Sequence, residues 1–301
     1  MLSILIPVFN FDVRLLVTEL YRQCESCGLE FEIICFDDGS EEEFKQIHRA
    51  FFGEGNRATY LELLQNLGRS AIRNALGKAA RFPWLLFMDC DSRVVRSDFI
   101  QKYLACLQPG MLVYGGRCYA PEPPADPALF FHWHYGQNRE QTTPQQRMQS
   151  PYHSFMTNNF LIPRDLFLEI LFDESLRQYG HEDTLFGLEL LRRGVSILHI
   201  DNPLEHAGLE TVDVFLKKTR QGLENLNALW RQGKPIETRL LAVFVKMKKW
   251  GLAPLLRWSF LLFKKMIEGQ LRSKSPNLKL FDFYKLGSLA LLHQTIEKSG
   301  G

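Results

Sequence analysis

The sequence predicts an α/β fold whose sheet is mostly parallel, followed by a helical C-terminal appendage. Over the first hundred residues, short β-rich runs alternate with helical patterns, an order typical of βαβ units. The second of these runs, at 31–36, is apolar except for Glu32, as in sheets that are covered on both faces. Beyond about Leu209 the apolar spacing is helical.

Length and composition restrict the class of protein. The chain has 301 residues, of which 46% are hydrophobic and 23% charged, so disordered and collagen-like classes are excluded. No run of 18 or more uncharged apolar residues is present, and Met1 leads directly into a strand-like run without a basic leader or cleavage site. We therefore predict a protein that is neither secreted nor membrane-spanning.

The elements are predicted from apolar periodicity and from turn residues. Strands are predicted at 3–8, 31–36, 59–63, 84–88, 160–162 and 195–200. Helices are predicted at 13–28, 41–51, 68–80, 165–171 and 183–193, with Gly28 and Gly194 as stop signals. The segment 109–151 is rich in Pro and then in Gln, and we predict a long connection or lid there.

A polar cluster follows each of the first four predicted strands. The clusters are Asn10, then Asp37-Asp38-Gly39-Ser40, then Asn66 with Arg69 and Arg73, and finally Asp89-Cys90-Asp91. Ligands of open α/β sheets bind outside the carboxyl ends of the strands, so the four clusters are expected to converge on one crevice.

The last cluster, an Asp-x-Asp after an apolar strand, suits a hard divalent cation such as Mn2+ or Mg2+. Such cations prefer oxygen ligands and often bridge carboxylates to substrate phosphates. The tripeptide alone is common in loops, but the polar groups at the other strand ends, which suit a nucleotide, support a metal site here. Asp38 is suited to accept from a nucleotide base, and Arg73 to meet a base, ribose or phosphate. The alternative interpretation of 37–40 is a helix N-cap, supported by Ser40 and the acids 41–43 that follow it; both can hold, with Asp38 facing the ligand and Ser40 the helix.

Two further groups are candidates for chemistry. Glu182 and Asp183 open a predicted helix, where acids favour the N-terminus for electrostatic reasons; alternatively, one of them is a general base. His206 follows the next predicted strand. It is either an ordinary polar residue or a third metal ligand.

The six cysteines show no disulfide framework and fit a reducing cytoplasm. Cys24 and Cys27 form a Cys-x-x-Cys without a second pair, so a four-ligand zinc site lacks half its ligands. We interpret both as helical, partly buried thiols.

Charge is distributed unevenly along the chain. The net charge is +2, but residues 230–301 carry 14 Lys and Arg against 4 Asp and Glu. Aromatic residues interleave with these basic residues, namely Trp250, Trp258, Phe260 and Phe263. This pattern indicates either helices on an anionic membrane surface or a packed helical appendage with solvated lysines. A nucleic-acid partner is disfavoured, because no recognised binding motif accompanies the charge.

In combination, these motifs resemble the family 2 inverting glycosyltransferases. The resemblance rests on 6–10, 37–40, 66–74, 89–91, Glu182-Asp183 and His206, and it covers about residues 1–210. It implies a GT-A catalytic domain at 1–210, with a Rossmann-like mixed sheet flanked by helices. Residues 211–301 are then a basic, amphipathic helical region. It further implies a nucleotide-sugar donor, most simply a UDP-sugar, and a bound divalent cation.

The resemblance also implies roles for single residues. The donor-binding positions are Pro7, Phe9, Asn10, Asp38, Asn66, Arg73 and Asp89. Asp89, Asp91 and His206 match the metal positions, and Asp183 matches the base, with Glu182 beside it and an exchange of their roles left open. Asn158 and Asn159 match a segment near the transferred sugar and the acceptor.

Two departures from the family pattern bear on activity. Phe9 stands where tyrosine is frequent, and no Gln-x-x-Arg-Trp segment of processive synthases is present. We therefore expect a bacterial enzyme that adds one hexose, with inversion, to a surface glycan or lipid-linked acceptor. It would be cytoplasmic or peripheral on the inner face of the cell membrane. The alternatives are a nucleotidyltransferase, disfavoured because no Gly-rich basic loop follows the first strand, and a non-catalytic nucleotide-sugar-binding module.

Overall fold

The computed structural model describes residues 1–53, 58–176 and 180–299. The chain divides into two compact units. The first consists of Met1–Ala120, Arg139–Arg177 and Glu182–Gly208, and the second of Pro121–Asn138, Gln178–His181 and Leu209–Gly301. Both units are therefore discontinuous in sequence. The functional domain boundary expected at residue 210 stays a prediction.

The elements of the first unit include all the strands of the described residues. They are β1 (Leu2–Val8), α1 (Arg14–Ser26), β2 (Phe31–Asp37), α2 (Glu42–Phe51), β3 (Ala58–Glu62), α3 (Arg69–Ala79), β4 (Trp84–Met88), β5 (Ser92–Val94), α4 (Phe99–Leu104), β6 (Met111–Tyr114) and β7 (Arg117–Cys118). After α5 (Phe130–Tyr135), which belongs to the second unit, they continue with α6 (Pro144–Met148), β8 (Asn159–Pro163), α7 (Arg164–Ile170), α8 (Glu182–Arg192), β9 (Ser196–His199) and β10 (Leu204–His206).

Seven strands form a mixed sheet in the order β3-β2-β1-β4-β8-β6-β9. The neighbours β3, β2, β1 and β4 are parallel, whereas β8 runs antiparallel to both β4 and β6. In register, Val8 pairs with Asp37 and Asp37 with Glu62. The carboxyl ends of the first four strands therefore lie along one edge of the sheet, which brings the polar clusters together as predicted.

The sheet is apolar on both faces. Along β1, Ile4 and Ile6 join one core cluster with α1, while Leu5 joins the other with α3. The second cluster is rich in aromatic rings, including the stacked pair Phe87 and Phe160 at 4.8 Å between centroids. This two-sided burial explains why β2, in which all seven residues are buried, is apolar except for Glu32 and Asp37.

The structure confirms the strands and helices predicted before residue 90 and after residue 159, within one or two residues at their ends. The long connection predicted at 109–151 is wrong. That segment contains β6, β7, α5, α6 and a π-helical turn, and β6 lies inside the main sheet between β8 and β9. Elements of two to six residues are too short to show a helical or strand period. Beside the main sheet, β5, β10 and β7 form a small second sheet.

The second unit is helical. In addition to α5 it contains α9 (Val212–Arg231), α10 (Arg239–Lys249), α11 (Ala253–Leu271) and α12 (Leu278–Ser299). Its core joins Phe131 of α5 to buried residues of the C-terminal helices, namely Val212, Leu216, Phe260, Ile267, Leu271, Phe281 and Tyr284. Phe260, one of the aromatic residues assigned to a membrane-facing pattern, is therefore a core residue. Within the described residues, no helix has the length and hydropathy needed to cross a bilayer.

The cysteines of the described residues are free thiols. Cys24 is buried on α1 and Cys27 is exposed just after it, so the prediction of two helical, partly buried thiols is wrong for Cys27.

Candidate active site

The loop after β1 is fixed against the loop after β2. Asn10 has a left-handed backbone, with φ of 48°, which Asn adopts more readily than most residues. Its N–H donates to Ser40 Oγ at 2.9 Å, and its side-chain oxygen accepts from the N–H of Glu41 at 2.7 Å. Ser40 therefore serves this loop, and the N-cap role predicted for it is wrong, since Glu41 is the N-cap of α2. Pro7 is partly exposed and Phe9 is exposed.

The adjacent carboxylates after β2 have different partners. Asp37 is fully buried and accepts from the N–H groups of Gly39 and Ser40 and from the Tyr60 hydroxyl. Asp38 accepts from the N–H groups of Leu67 at 2.6 Å and Gly68 at 3.0 Å, and burial raises its pKa.

The turn that Asp38 holds precedes α3 and borders a pocket. Asn66 donates to the Asp38 carbonyl at 2.7 Å, and Gly68 has φ of 82°, a backbone that favours glycine. A pocket of about 320 Å³ opens here, a size in the range of small-molecule sites. Its lining residues are Gln65, Asn66, Leu67, Gly68, Ala71 and Glu174.

Asp89, directly after β4, lies between two arginines. Arg73 Nη2 donates to Asp89 Oδ1 at 2.6 Å, and Arg117 Nη2 donates to Oδ2 at 3.3 Å. The Arg73 side chain is almost completely buried, and Arg117 and Asp89 are largely so. We call these three residues the Asp89 clamp. Its two cations share its single carboxylate, and Glu140, which also pairs with Arg117, balances the remaining positive charge.

Arg117 is itself held by a second carboxylate. Its Nη1 donates to Glu140 Oε2 at 3.1 Å, and the Tyr119 hydroxyl makes a short hydrogen bond to the same oxygen. Burial lowers the pKa of Arg117, but the charges of Glu140, Tyr119, Asp89 and Asp91 outweigh burial and hold it well above its ordinary value. Sequence reasoning missed Arg117 and Glu140 because both lie in the segment interpreted as a connection.

Asp91 and His206 meet across the small sheet, where β10 is antiparallel to β5. His206 Nδ1 lies 3.5 Å from Asp91 Oδ1, and that oxygen is buried without a hydrogen-bond partner among the described residues. Burial raises the pKa of Asp91, but the His206 ring, with Arg117 and Arg69, outweighs burial and lowers it. Gly208 leaves room for this carboxylate, since a Cβ there would come within 2.6 Å of Asp91 Oδ2.

These two residues suit a hard divalent cation, because a carboxylate oxygen and an imidazole nitrogen are both accepted ligands. Tyr119 packs edge-on against the His206 ring at 5.6 Å and restricts its orientation. Across the described residues, however, no group of three or more His, Cys, Asp or Glu side chains has metal-binding geometry. Both oxygens of Asp89 are engaged by arginines, so the protein brings two of the three predicted ligands together.

Glu182 and Asp183 form the N-terminus of α8, as predicted. Glu182 is buried and lies 3.5 Å from Arg69, whose ion pair links α8 to α3. Asp183 accepts from the N–H of Thr184 at 2.7 Å. Burial and the adjacent charge of Glu182 raise the pKa of Asp183 to about 6.

Asn158 and Asn159 are buried beneath the site. Asn159 accepts from the Tyr103 hydroxyl at 2.6 Å and donates to the carbonyls of Gly116 and Asn202. Asn158 accepts from the Tyr114 hydroxyl, and its carbonyl accepts from the N–H of Asp89 at 3.2 Å. Their positions fix the backbone at the end of β4, and their side chains are committed to these internal bonds.

The comparisons with known proteins concern the family and the fold of the chain. The family described as glycosyl transferase family 2 matches residues 3–171. A hyaluronan synthase from Pasteurella multocida is 24% identical over 231 residues, which cover 66% of this chain and 24% of that protein. The chain thus spans about a quarter of the length of that relative.

Two solved structures share the fold at low sequence identity. One is mannosyltransferase PcManGT from Pyrobaculum calidifontis in complex with GDP-Man and Mn2+, with a TM-score of 0.57 at 11% identity. The match covers 98% of this chain and 86% of the PcManGT chain. The other is S. aureus TarS 1–349 in complex with UDP, with a TM-score of 0.51 at 16% identity. The match covers 99% of this chain and 91% of the TarS chain. These likenesses show a GT-A type fold.

Proposed function

Because the chain belongs to glycosyl transferase family 2, as the match over 3–171 shows, we propose that it transfers one hexose from a nucleoside-diphosphate sugar to an acceptor hydroxyl, with inversion. The acceptor would be a surface glycan or a lipid-linked saccharide. The donor proposal is supported by the UDP and GDP-Man bound in the two similar structures, and we take a UDP-sugar as the first candidate. The observation that carries the proposal is the Asp89 clamp beside the Asp91–His206 pair.

The donor would lie along the carboxyl edge of the sheet. The exposed ring of Phe9 and the partly exposed Pro7 offer apolar contact to a base, and Asn10, Asp38 and Asn66 supply fixed polar groups around it. The clamp holds two guanidinium groups in a buried position, where cations stabilise a diphosphate more than they would in water. Arg73 and Arg117 would therefore hold the diphosphate, with Asp89 setting their positions.

We propose Asp91 and His206 as the protein ligands of Mn2+ or Mg2+. A bound cation would offset negative charge on the departing diphosphate. Gly208→Ala tests the assignment, since the added methyl group must displace the Asp91 carboxylate. We expect weaker Mn2+ binding by isothermal titration calorimetry, without any substrate present. Gly269→Ala is the matched control, because nothing lies within 4 Å of its Cβ position. Equal Mn2+ affinity in both variants would contradict the ligand assignment.

The acceptor is activated by Asp183 in this proposal. Its carboxylate takes the proton of the acceptor hydroxyl as the oxygen forms a bond to the anomeric carbon. The bond from that carbon to the diphosphate oxygen breaks on the opposite side, and the nucleoside diphosphate leaves with the electron pair, which inverts the carbon. A positioned general base contributes about 10²–10⁴-fold to the rate, so Asp183→Asn should lower kcat by a factor in this range.

The experiment that tests the function is a screen of nucleotide sugars for Mn2+-dependent donor hydrolysis. We expect release of the nucleoside diphosphate from one donor by the wild type and strongly reduced release by Asp91→Ala. Formation of pyrophosphate from a nucleoside triphosphate and a sugar phosphate would instead indicate a nucleotidyltransferase. Binding of a donor with no turnover, even with glycan acceptors added, would indicate a non-catalytic module.

A further inference from the structure

Helix α11 carries two apolar faces, and only one of them packs against the protein. The buried face consists of Ala253, Leu256, Phe260, Ile267 and Leu271. These positions follow the helical period, and Phe260, Ile267 and Leu271 belong to the core of the second unit. An ordinary amphipathic helix would be polar on its remaining surface.

A large part of the remaining surface of α11 is apolar instead. Leu255, Trp258, Leu262 and Met266 are spaced i, i+3, i+7 and i+11, so they form one stripe, and each is between 59 and 63% exposed. Leu261 widens this stripe at 61% exposure. We call these five residues the exposed α11 face. Single exposed apolar residues are common, but a contiguous row of large ones marks an interaction site.

The end of α10 extends this surface. Trp250, directly after α10, is 64% exposed, and Lys246 lies over its ring at 4.7 Å. Tryptophan is enriched at membrane–water interfaces, because its ring is apolar while its N–H remains near water. Two exposed tryptophans, Trp250 and Trp258, therefore lie eight residues apart on one short stretch of chain.

The charges around the exposed α11 face are almost all positive. Residues 239–271 contain seven Lys and Arg and one acid, Glu268. Glu268 lies 4.0 Å from Lys264, so its charge is partly compensated. Lys249 and Lys265 are exposed, and long basic side chains can direct their charge to a polar boundary while their stems cover apolar surface.

We propose that the exposed α11 face docks on an anionic lipid bilayer, with α11 lying in the interface and its leucine and tryptophan side chains below the headgroups. An apolar stripe with a basic margin is the combination that such surfaces bind. A symmetric contact with a second copy would place two sets of these basic residues against each other, which opposes self-association. The proposal is independent of glycosyl transfer, since lipid binding requires no donor or acceptor.

The test is flotation of the full chain with vesicles of phosphatidylcholine alone or mixed with phosphatidylglycerol. We expect the wild type to float with the anionic vesicles and to lose binding as NaCl is raised, because salt screens the basic residues. The double variant Trp258→Glu/Leu262→Glu should remain unbound. Leu15→Glu is the matched control, since Leu15 is an 84% exposed leucine on α1, and it should float like the wild type.

The charge contribution is tested separately. Lys249→Gln and Lys265→Gln should each lower the partition coefficient about fivefold on anionic vesicles. Circular dichroism melting curves should match the wild type for every variant, because all the changed residues are exposed.

Several outcomes would overturn the proposal. One is equal flotation of the wild type and the double variant; another is no flotation of the wild type at low salt. A wild-type dimer that the double variant converts to a monomer, without flotation, would show that this face joins two copies. Donor hydrolysis should be unchanged in the double variant, so the failure of lipid binding and the failure of the proposed activity are distinguishable.

Discussion

Two adjacent carboxyl groups at the start of α8 differ in their surroundings, and this difference bears on which is the base. Glu182 is buried and ion-paired with Arg69. Asp183 has a pKa raised to about 6 by burial and by the charge of Glu182. A general base works best when its pKa lies near the working pH, because it is then largely deprotonated and still has enough proton affinity to take a proton. The geometry therefore favours Asp183, and the sequence alone left the choice open.

The pH dependence of kcat/KM should show whether Asp183 is the base. Asp183 must be deprotonated to act, so the rate should fall about tenfold per pH unit once the pH drops below about 6. Glu182→Gln removes the like charge that raises the pKa of Asp183, so the acid limb of the profile should move to lower pH. Complete inactivity of Glu182→Gln at every pH, with normal donor binding, would identify Glu182 as the base instead.

Arg117 should be as important for stability as for donor binding. Arg117→Ala leaves the carboxylates of Asp89 and Glu140 largely buried with one cation fewer, and we expect the free energy of unfolding to fall by about 3 kcal/mol in urea. The matched control is Arg14→Ala, whose partner Asp12 is on the surface, with an expected loss below about 1 kcal/mol. Equal losses of unfolding free energy in the two variants would mean that the Asp89 clamp stabilises the protein no more than a surface ion pair does.

At the scale of elements, α3 carries Arg69 and Arg73 and is positioned by a glycine. Gly77 lies against the Phe167 ring of α7, and a Cβ there would fall inside contact distance of the ring. Replacing Gly by Ala inside a helix normally raises the free energy of unfolding of the protein by up to about 1 kcal/mol. Here the close contact requires α3 or the ring to move.

We therefore predict that Gly77→Ala lowers the free energy of unfolding by about 1–3 kcal/mol, the usual cost of overpacking, and lowers donor affinity by moving the arginines. Gly269→Ala, in the open surroundings of α11, should be neutral or slightly stabilising. Urea unfolding followed by circular dichroism measures both changes. An increase in stability for Gly77→Ala would contradict this packing.

The elements that could be predicted from sequence are those long enough to show a strand or helix pattern. The strands β1 to β4 are short β-rich runs, each followed by a polar cluster, so both the strands and the meeting of their ends were predictable. Strand β6 has four residues and β7 two, and their places in the two sheets depend on pairing with β8, β9 and β10. Arg117 was missed for the same reason, since only tertiary pairing brings β7 beside Asp89.

The role of a residue was less predictable than its position. Asp38 and Arg73 lie at the predicted edge, and each also has a protein partner: Asp38 accepts from the turn before α3 and Arg73 donates to Asp89. Asn159 has its side chain committed to internal bonds. Sequence spacing shows which side chains reach a region, whereas partners far apart in the chain decide which of them stay available.

At the scale of the whole molecule, both compact units are discontinuous, and this determines how the chain can be cut. Residues 121–138 belong with the C-terminal helices, since Phe131 is buried among residues of α9, α11 and α12. A chain ending at Gly208 keeps this segment but loses its partners.

We predict that such a truncation, although it retains every candidate site residue, is aggregation-prone. Its exposed aromatic residues should lower the soluble fraction and shift the protein to the void volume in size-exclusion chromatography. Adding Phe131→Ser and Tyr135→Ser to the truncation should recover soluble monomer. A soluble, monomeric truncation without these changes would show that the segment 121–138 needs no partner.

The discontinuous second unit also has a consequence for synthesis. Phe131 packs edge-on against Phe281 at 5.3 Å, yet the ribosome adds Phe281 150 residues after Phe131. At about 5–20 residues per second, α5 waits roughly 8–30 s for this partner. The first unit can form its sheet once residue 208 has emerged, so the aromatic segment is exposed on a nascent chain whose first unit is already folded. We expect chaperones that bind apolar segments to act on this protein during that interval.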